Sequence, residues 1–138
     1  MPLFNLTVTS LFGQRYHPIL YYNKLHVGID LRANYEAVFA FAKGIVTRAG
    51  YDTYSGNFIT ISHNYGKEKL TSIYAHLSYR NVKIGDVVQA GQIIGITGNT
   101  GYSTAPHLHF ALKLDDKALN PLPVLKYLLQ FNVTRLNQ

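Results

Sequence analysis

The chain has 138 residues, enough for one domain with a hydrophobic core, and it contains no cysteine, which excludes disulfides and a zinc site built on thiolates. Its formal net charge is +6, yet the basic residues are scattered and form no run interleaved with aromatic residues, so nucleic-acid binding is not expected. No segment reaches the roughly 18 consecutive apolar residues of a membrane span, and we expect no such span in this chain.

Short apolar or alternating segments recur along the chain and are separated by Gly-containing turn signals. Val, Ile, Thr and aromatic residues, which favour strands, are frequent in these segments. The pattern predicts an all-β fold of mostly antiparallel sheets, a compact barrel or sandwich, with residues 1–138 as a single domain. The predicted strands lie in residues 36–50 (two strands divided at Lys43 and Gly44), 56–64, 70–78, 82–98 (short strands joined by turns at Gly85-Asp86 and Ala90-Gly91) and 107–114.

The first polar motif in the chain is HVGID, which contains His26 and Asp30. In a straight strand these two residues would lie about 13 Å apart, too far to share an ion bound at about 2 Å by each ligand. Helical spacing would bring them together, but Gly, Val and Ile do not favour a helix here. A bend at Gly28 is the alternative, because Gly tolerates backbone angles that other residues avoid.

Two histidines lie in predicted central strands and face different environments. His63 shares a strand face with Ile59 and Ile61, which predicts a partly buried structural histidine. In the next strand, simple alternation places Tyr74 and His76 on one face and apolar residues on the other. His76 is therefore expected to point away from the core.

The strand HLHFALKL contains a second pair of polar residues, His107 and His109. Alternation places Leu108 and Phe110 on the opposite face with further leucines, so that face must be the core face. The two histidines then stand about 6.6 Å apart along the strand, away from the core. This spacing suits two imidazoles that converge on one site.

One helix is predicted near the end of the chain. Asn120 can cap it and Pro121 suits its first turn. Leucines then recur at helical spacing, and we expect this short helix to pack on the sheet. These leucines are Leu122, Leu125, Leu128 and Leu129.

Four side chains are candidates for metal binding or catalysis, with His76 as a companion. Two histidines and one carboxylate match a catalytic zinc site that keeps an open position for water. The remaining imidazoles would be available as bases or as donors to the transition state. Spacing does not tell which of His107 and His109 holds the metal. The four candidates are His26, Asp30, His107 and His109.

These motifs resemble those of the lysostaphin/LytM-type zinc metallopeptidases, also called the β-lytic metallopeptidase family. HVGID, YAHLS and STAPHLHF occur in the order and approximate spacing of that family. Further matching segments are TSLFGQRYHPI, GIVTRAG, GNFITISH, VKIGDVVQAGQIIGITGNTG and NPLPVL. The resemblance covers about residues 9–125, which we take as the core of the domain.

The resemblance implies a compact antiparallel β fold with a groove floored by the sheet, and an endopeptidase that cuts peptide bridges or stem peptides of bacterial peptidoglycan. It implies catalytic roles beside the metal for His76 and His107, one as proton acceptor and the other as stabiliser of the oxyanion, in either order. Tyr74, on the same predicted face as His76, is expected to help bind substrate. The implied ligands of the single zinc ion are His26, Asp30 and His109.

A non-cleaving LytM-like regulator or wall-binding scaffold is the alternative function, because some relatives of this family have lost metal ligands. This chain keeps every ligand of the pattern. In either case a regulatory partner domain or chain is an expected type of partner, besides peptidoglycan. The resemblance implies a periplasmic or extracellular location in the cell envelope, although the first ten residues lack the pattern of a signal peptide.

Overall fold

The structure, a computed structural model, describes residues 1–17, 22–103 and 105–136, and the side chains of residues 14–17, 22–26, 65 and 129–136 lie outside the description. The described part contains twelve strands followed by one helix. The strands are β1 Val8–Ser10, β2 Gly13–His17, β3 Tyr22–His26, β4 Ile29–Arg32, β5 Ala37–Phe39, β6 Gly44–Asp52, β7 Gly56–Tyr65, β8 Glu68–Arg80, β9 Val87–Val88, β10 Ile93–Thr97, β11 His107–Leu114 and β12 Lys117–Leu119, and the helix is α1 Pro121–Leu136.

Every strand pairing in the described part is antiparallel, which confirms the predicted all-β class. The main sheet has the order β1-β4-β11-β8-β7-β6-β9, with β10 pairing with both β8 and β5, and β12 pairing with β11. β2 and β3 form a separate two-stranded sheet. The sequence pattern predicts β5 to β11, but it does not predict β1, β2, β3 and β12.

The hydrophobic core lies on the face of β11 that the alternation of HLHFALKL indicates. Leu108, Phe110 and Leu112 are fully buried, while the side chains of the two histidines are partly exposed. On the neighbouring strand β4, Ile29 and Leu31 are also fully buried. The prediction that both histidines stand on the opposite face from the core is confirmed.

The helix α1 begins where the sequence indicates. Asn120 Oδ1 accepts a hydrogen bond from the Leu122 N–H at 3.1 Å, which is the expected cap. Leu125 joins the buried core and α1 contacts β11, so the predicted packing is confirmed. Within the part of the chain that is described, no helix has the length and apolar character needed to cross a bilayer.

β8 does not keep the simple alternation that the sequence predicts. Tyr74 pairs with Ile59 and Leu77 pairs with Asn57, so three steps along β8 match two steps along β7, which is a β-bulge. His76 lies in this bulge with a φ of 63°. As a result Tyr74 and Leu77 both face the core and are fully buried. The prediction that Tyr74 shares the face of His76 and helps bind substrate is therefore wrong.

Tyr74 instead belongs to a buried chain of hydrogen bonds that ends at His63. His63 Nδ1 lies 2.7 Å from the Lys43 carbonyl oxygen, and Nε2 lies 2.8 Å from Ser72 Oγ. Ser72 Oγ is 3.0 Å from the Tyr74 hydroxyl, which accepts the Phe41 N–H at 2.8 Å. Because a carbonyl oxygen only accepts, neutral His63 donates from Nδ1 and accepts at Nε2, so Ser72 donates to His63 and Tyr74 donates to Ser72.

His63 is fully buried, so the prediction of a structural histidine is confirmed. The residue is more deeply buried than the partial burial that was expected. Burial lowers the pKa of His63, and the hydrogen bond to the Lys43 carbonyl opposes this shift in part. The neutral ring is therefore the form that the folded chain favours.

Candidate active site

The pairing of β4 with β11 brings the first half of the predicted site to the second. Asp30 lies directly opposite His109, and Arg32 lies directly opposite His107. Residues opposite each other on an antiparallel pair share a face, so the carboxylate and both imidazoles project from the same side of the sheet. Asp30 Oδ1 is 3.0 Å from His109 Nδ1 and 3.5 Å from His107 Nε2.

His107 is oriented by the loop that precedes β11. Its Nδ1 lies 2.8 Å from the Ala105 carbonyl oxygen, which also accepts the Ser103 hydroxyl at 2.9 Å. Since the carbonyl oxygen cannot donate, the neutral His107 ring carries its proton on Nδ1 and presents Nε2 as a proton acceptor. That Nε2 is the nitrogen on the side of Asp30.

His76 reaches the same face from the bulge of β8. Its ring centroid lies 4.8 Å from that of His107 and 6.1 Å from that of His109. His76 Nδ1 is 2.7 Å from the Thr100 carbonyl oxygen, which leaves Nε2 as the acceptor nitrogen of the neutral ring. Burial lowers the pKa of His76; the bond to the Thr100 carbonyl partly opposes this.

Two loops fix the bulge that carries His76. The backbone N–H of His76 donates to the Ser55 carbonyl oxygen at 2.7 Å. Asp52 closes the turn before β7 by accepting the Ser55 N–H at 2.7 Å, and this bond is the main reason why the pKa of Asp52 is lowered. Thr100 Oγ1 accepts the Asn57 N–H at 3.1 Å and donates to the Leu77 carbonyl oxygen at 2.6 Å.

Sequence patterns did not reveal these supporting groups. The carbonyl groups of Ser55, Thr100 and Ala105 belong to the backbone, so they cannot be recognised from residue type. Two sequence signals could have indicated tight turns in these loops: Asp52, a residue type that often caps a turn, and the GNTG segment before the HxH strand.

The chain bends between the two halves of HVGID. β3 ends at His26, β4 begins at Ile29, and Gly28 between them has a φ of 115°. A Cβ atom on Gly28 would lie 2.7 Å from the Phe110 carbonyl oxygen, so no larger residue fits without displacement. The bend at Gly28 that was one of the two alternatives is confirmed, whereas the side chain of His26 lies outside the described residues.

The donor set fits zinc in its chemistry. Tetrahedral ligands bound at about 2.0 Å lie about 3.3 Å from each other, and Asp30 Oδ1 and His109 Nδ1 lie 3.0 Å apart. Among the side chains that the structure describes, no group of three His or carboxylate residues forms a metal cluster. Because the predicted third ligand, His26, is not among those side chains, the ligand set remains a prediction.

Comparisons with known proteins agree with this geometry. The model of peptidase family M23 matches residues 24–121. The chain is 41% identical over 124 residues to the DD-carboxypeptidase/endopeptidase Mpg of Neisseria meningitidis serogroup B, covering 89% of this chain and 28% of that protein. It therefore spans less than a third of the length of this curated relative.

Two solved structures share the fold. The catalytic domain of the antimicrobial peptidase lysostaphin from Staphylococcus simulans has a TM-score of 0.75 and 39% identity, covering 88% of this chain and 92% of that domain. A zinc containing peptidase from Vibrio cholerae has a TM-score of 0.77 and 32% identity, covering 83% of this chain and 35% of the other.

Proposed function

The chain belongs to peptidase family M23, and from this premise we propose that it is a zinc-dependent endopeptidase that cuts peptide cross-links or stem peptides of bacterial peptidoglycan. The observation that carries the proposal is the convergence of Asp30, His107 and His109, with the His76 ring 4.8 Å from that of His107. The zinc of the Vibrio cholerae peptidase and the carboxypeptidase and endopeptidase activities named for the Neisseria relative support it. A net charge of +6 favours attraction to an anionic wall.

Asp30 and His109 would hold the zinc together with His26. The carboxylate and the imidazole are ligands that zinc accepts, and their 3.0 Å separation suits two positions of one tetrahedron. When bound, the ion supplies Lewis-acid chemistry, polarising a carbonyl oxygen and lowering the pKa of water.

His76 and His107 act on protons in this proposal. Both rings direct Nδ1–H to a backbone carbonyl, so each has Nε2 available as a proton acceptor. The Nε2 of His107 lies 3.5 Å from Asp30 Oδ1. Such a nitrogen can take a proton from the attacking water and return it to the leaving amine. A ring that has accepted a proton becomes an N–H donor to the tetrahedral oxyanion. The fixed carbonyl partners keep both tautomers and ring orientations in place before the substrate arrives.

The test is digestion of purified peptidoglycan from several wall types, with mass spectrometry of the released muropeptides and zinc content per chain by elemental analysis. Wild type is expected to release products. His109→Ala is expected to lose both bound zinc and products, whereas His107→Ala should retain zinc and lose products, because it removes a proton acceptor and no ligand. Equal products from wild type and His109→Ala would remove zinc hydrolysis from consideration.

The same experiment separates the enzyme from the alternative, a non-cleaving regulator or scaffold. Wild type that holds zinc and binds purified peptidoglycan, but releases no muropeptide from any wall type, would favour the regulator. Because peptidoglycan lies in the cell envelope, the proposed function implies a periplasmic or extracellular location for the protein.

A further inference from the structure

A cavity of about 750 Å³ opens beside the end of β11 where His107 lies. Its walls come from residues 5–7 and 32–34, with Glu36 and Pro106. Pro106 directly precedes His107, so the cavity adjoins the catalytic face and continues it beyond the end of the HxH strand. None of the zinc or catalytic candidates lines this cavity.

Arg32 places a positive charge at this junction. It lies directly opposite His107 in the β4-β11 pair and two residues after Asp30 on the same strand, so all three side chains share one face. Opposite residues in such a pair have Cβ atoms about 4.5–5.5 Å apart. The Arg32 N–H donates to the Thr7 carbonyl oxygen at 2.7 Å, which fixes the backbone, while the side chain is exposed and lines the cavity.

We propose that this cavity is a substrate subsite in which Arg32 binds a free carboxylate of the peptide; the inference rests on the proposed peptidase function. A guanidinium group binds a carboxylate through two parallel N–H donors, which adds geometric selectivity to charge. The lining residues also include Glu36, Asn5 and Asn34, residue types whose side chains carry acceptors for the N–H groups of a peptide. The occupant is therefore a peptide end or side chain that carries a carboxylate, not an isolated anion.

The probes are fluorescently labelled cross-linked muropeptide dimers and the same dimers with their carboxylates converted to amides. Binding is measured by anisotropy and turnover by mass spectrometry. Arg32→Gln is expected to raise the Kd and KM for the carboxylate probe by about ten- to a hundredfold, the range for a lost charge-assisted hydrogen bond, with little change in kcat. The amidated probe should bind wild type and Arg32→Gln equally, and Arg32→Lys should restore part of the affinity.

Lys67→Gln is the matched control, because it also removes one positive charge. Lys67 is exposed in the turn between β7 and β8, nine residues before His76 and so roughly 30 Å from it along the strand direction, and its loss should leave both probes unaffected. Thermal unfolding of each variant checks that the fold is intact.

Equal losses by Arg32→Gln on both probes, or no preference of wild type for the carboxylate probe, would overturn the subsite. Cleavage that persists without any dependence on Arg32 refutes the subsite and leaves the peptidase function standing. Conversely, Arg32-dependent binding of the carboxylate probe with no cleavage of either probe supports the subsite, and digestion of peptidoglycan from several wall types then tests the peptidase function separately.

Discussion

Replacing Tyr74 by Phe tests whether this residue supports the core or contacts substrate. The Tyr74 hydroxyl is buried, accepts the Phe41 N–H at 2.8 Å and lies 3.0 Å from Ser72 Oγ. Removing the oxygen leaves the Phe41 N–H without this acceptor in a place that water does not reach. A buried donor left unsatisfied costs about 1–3 kcal/mol, so we expect the free energy of unfolding to fall by about 2 kcal/mol.

For a chain of this length, a loss of that size corresponds to a decrease in Tm of about 6–8 °C. The assay is denaturant and thermal unfolding, followed by kcat and KM on a muropeptide substrate at a temperature where the variant is folded. Both kinetic constants should equal those of wild type, because the ring of Tyr74 lies on the core side of β8, opposite the face that carries His76, His107 and His109.

Tyr79→Phe is the matched control on the same strand. Tyr79 is 57% exposed, so the loss of its hydroxyl should change stability by less than about 0.5 kcal/mol. An unchanged unfolding midpoint for Tyr74→Phe together with a raised KM would return Tyr74 to the substrate groove and refute the bulge argument.

Two further predictions concern the buried histidine and the glycine bend. Burial lowers the pKa of His63 in the folded state, so its contribution to stability is present above the unfolded value of about 6.5 and is lost as pH falls below it. Denaturant unfolding between pH 7 and 5 should therefore show a flatter pH dependence for His63→Gln than for wild type, and parallel curves would contradict this. A Cβ atom at Gly28 would lie 2.9 Å from His109 Cε1, so Gly28→Ala should weaken zinc binding as well as stability. Gly85 also has a positive φ, but it has open space around it, so Gly85→Ala should lower stability and leave zinc binding unchanged. Equal zinc affinities of the two variants would show that Gly28 does not position His109.

The regular part of the site could be predicted from sequence because one face of each strand is buried. Burial imposes a period of two on apolar residues, and the polar residues in the alternate positions then share the other face. That reasoning places His107 and His109 on the correct face. The glycine between His26 and Asp30 in HVGID likewise indicates the bend that the structure has at Gly28. The pairing of Asp30 with His109 could not be read in this way, since a period says nothing about which strands are neighbours.

The irregular part could not be predicted, because a bulge leaves the residue types unchanged and shifts only their direction. Simple alternation puts Tyr74 beside His76, and the extra residue in β8 separates them, sending Tyr74 into the core. The cause lies in contacts distant in sequence: the Ser55 carbonyl oxygen accepts the His76 N–H and the Thr100 carbonyl oxygen accepts its ring. Local sequence carries no signal of such partners.

In the proposed enzyme, the two histidines that act on protons, His76 and His107, both have a backbone carbonyl group as partner, and this has a consequence for specificity. The carbonyl groups of Thr100 and Ala105 are present whatever side chains the loop carries, so ring orientation does not depend on the identity of the exposed residues. Tyr54 lies in the turn before β7 and Tyr102 on the loop that carries Thr100 and Ala105. The two tyrosines are 74% and 73% exposed, and their ring centroids are 6.1 Å apart. Changes at these tyrosines can therefore alter contacts with substrate while the proton-accepting nitrogens stay in place. In the proposed enzyme, substrate preference would then depend on exposed side chains, and the orientation of the histidines on backbone carbonyl groups.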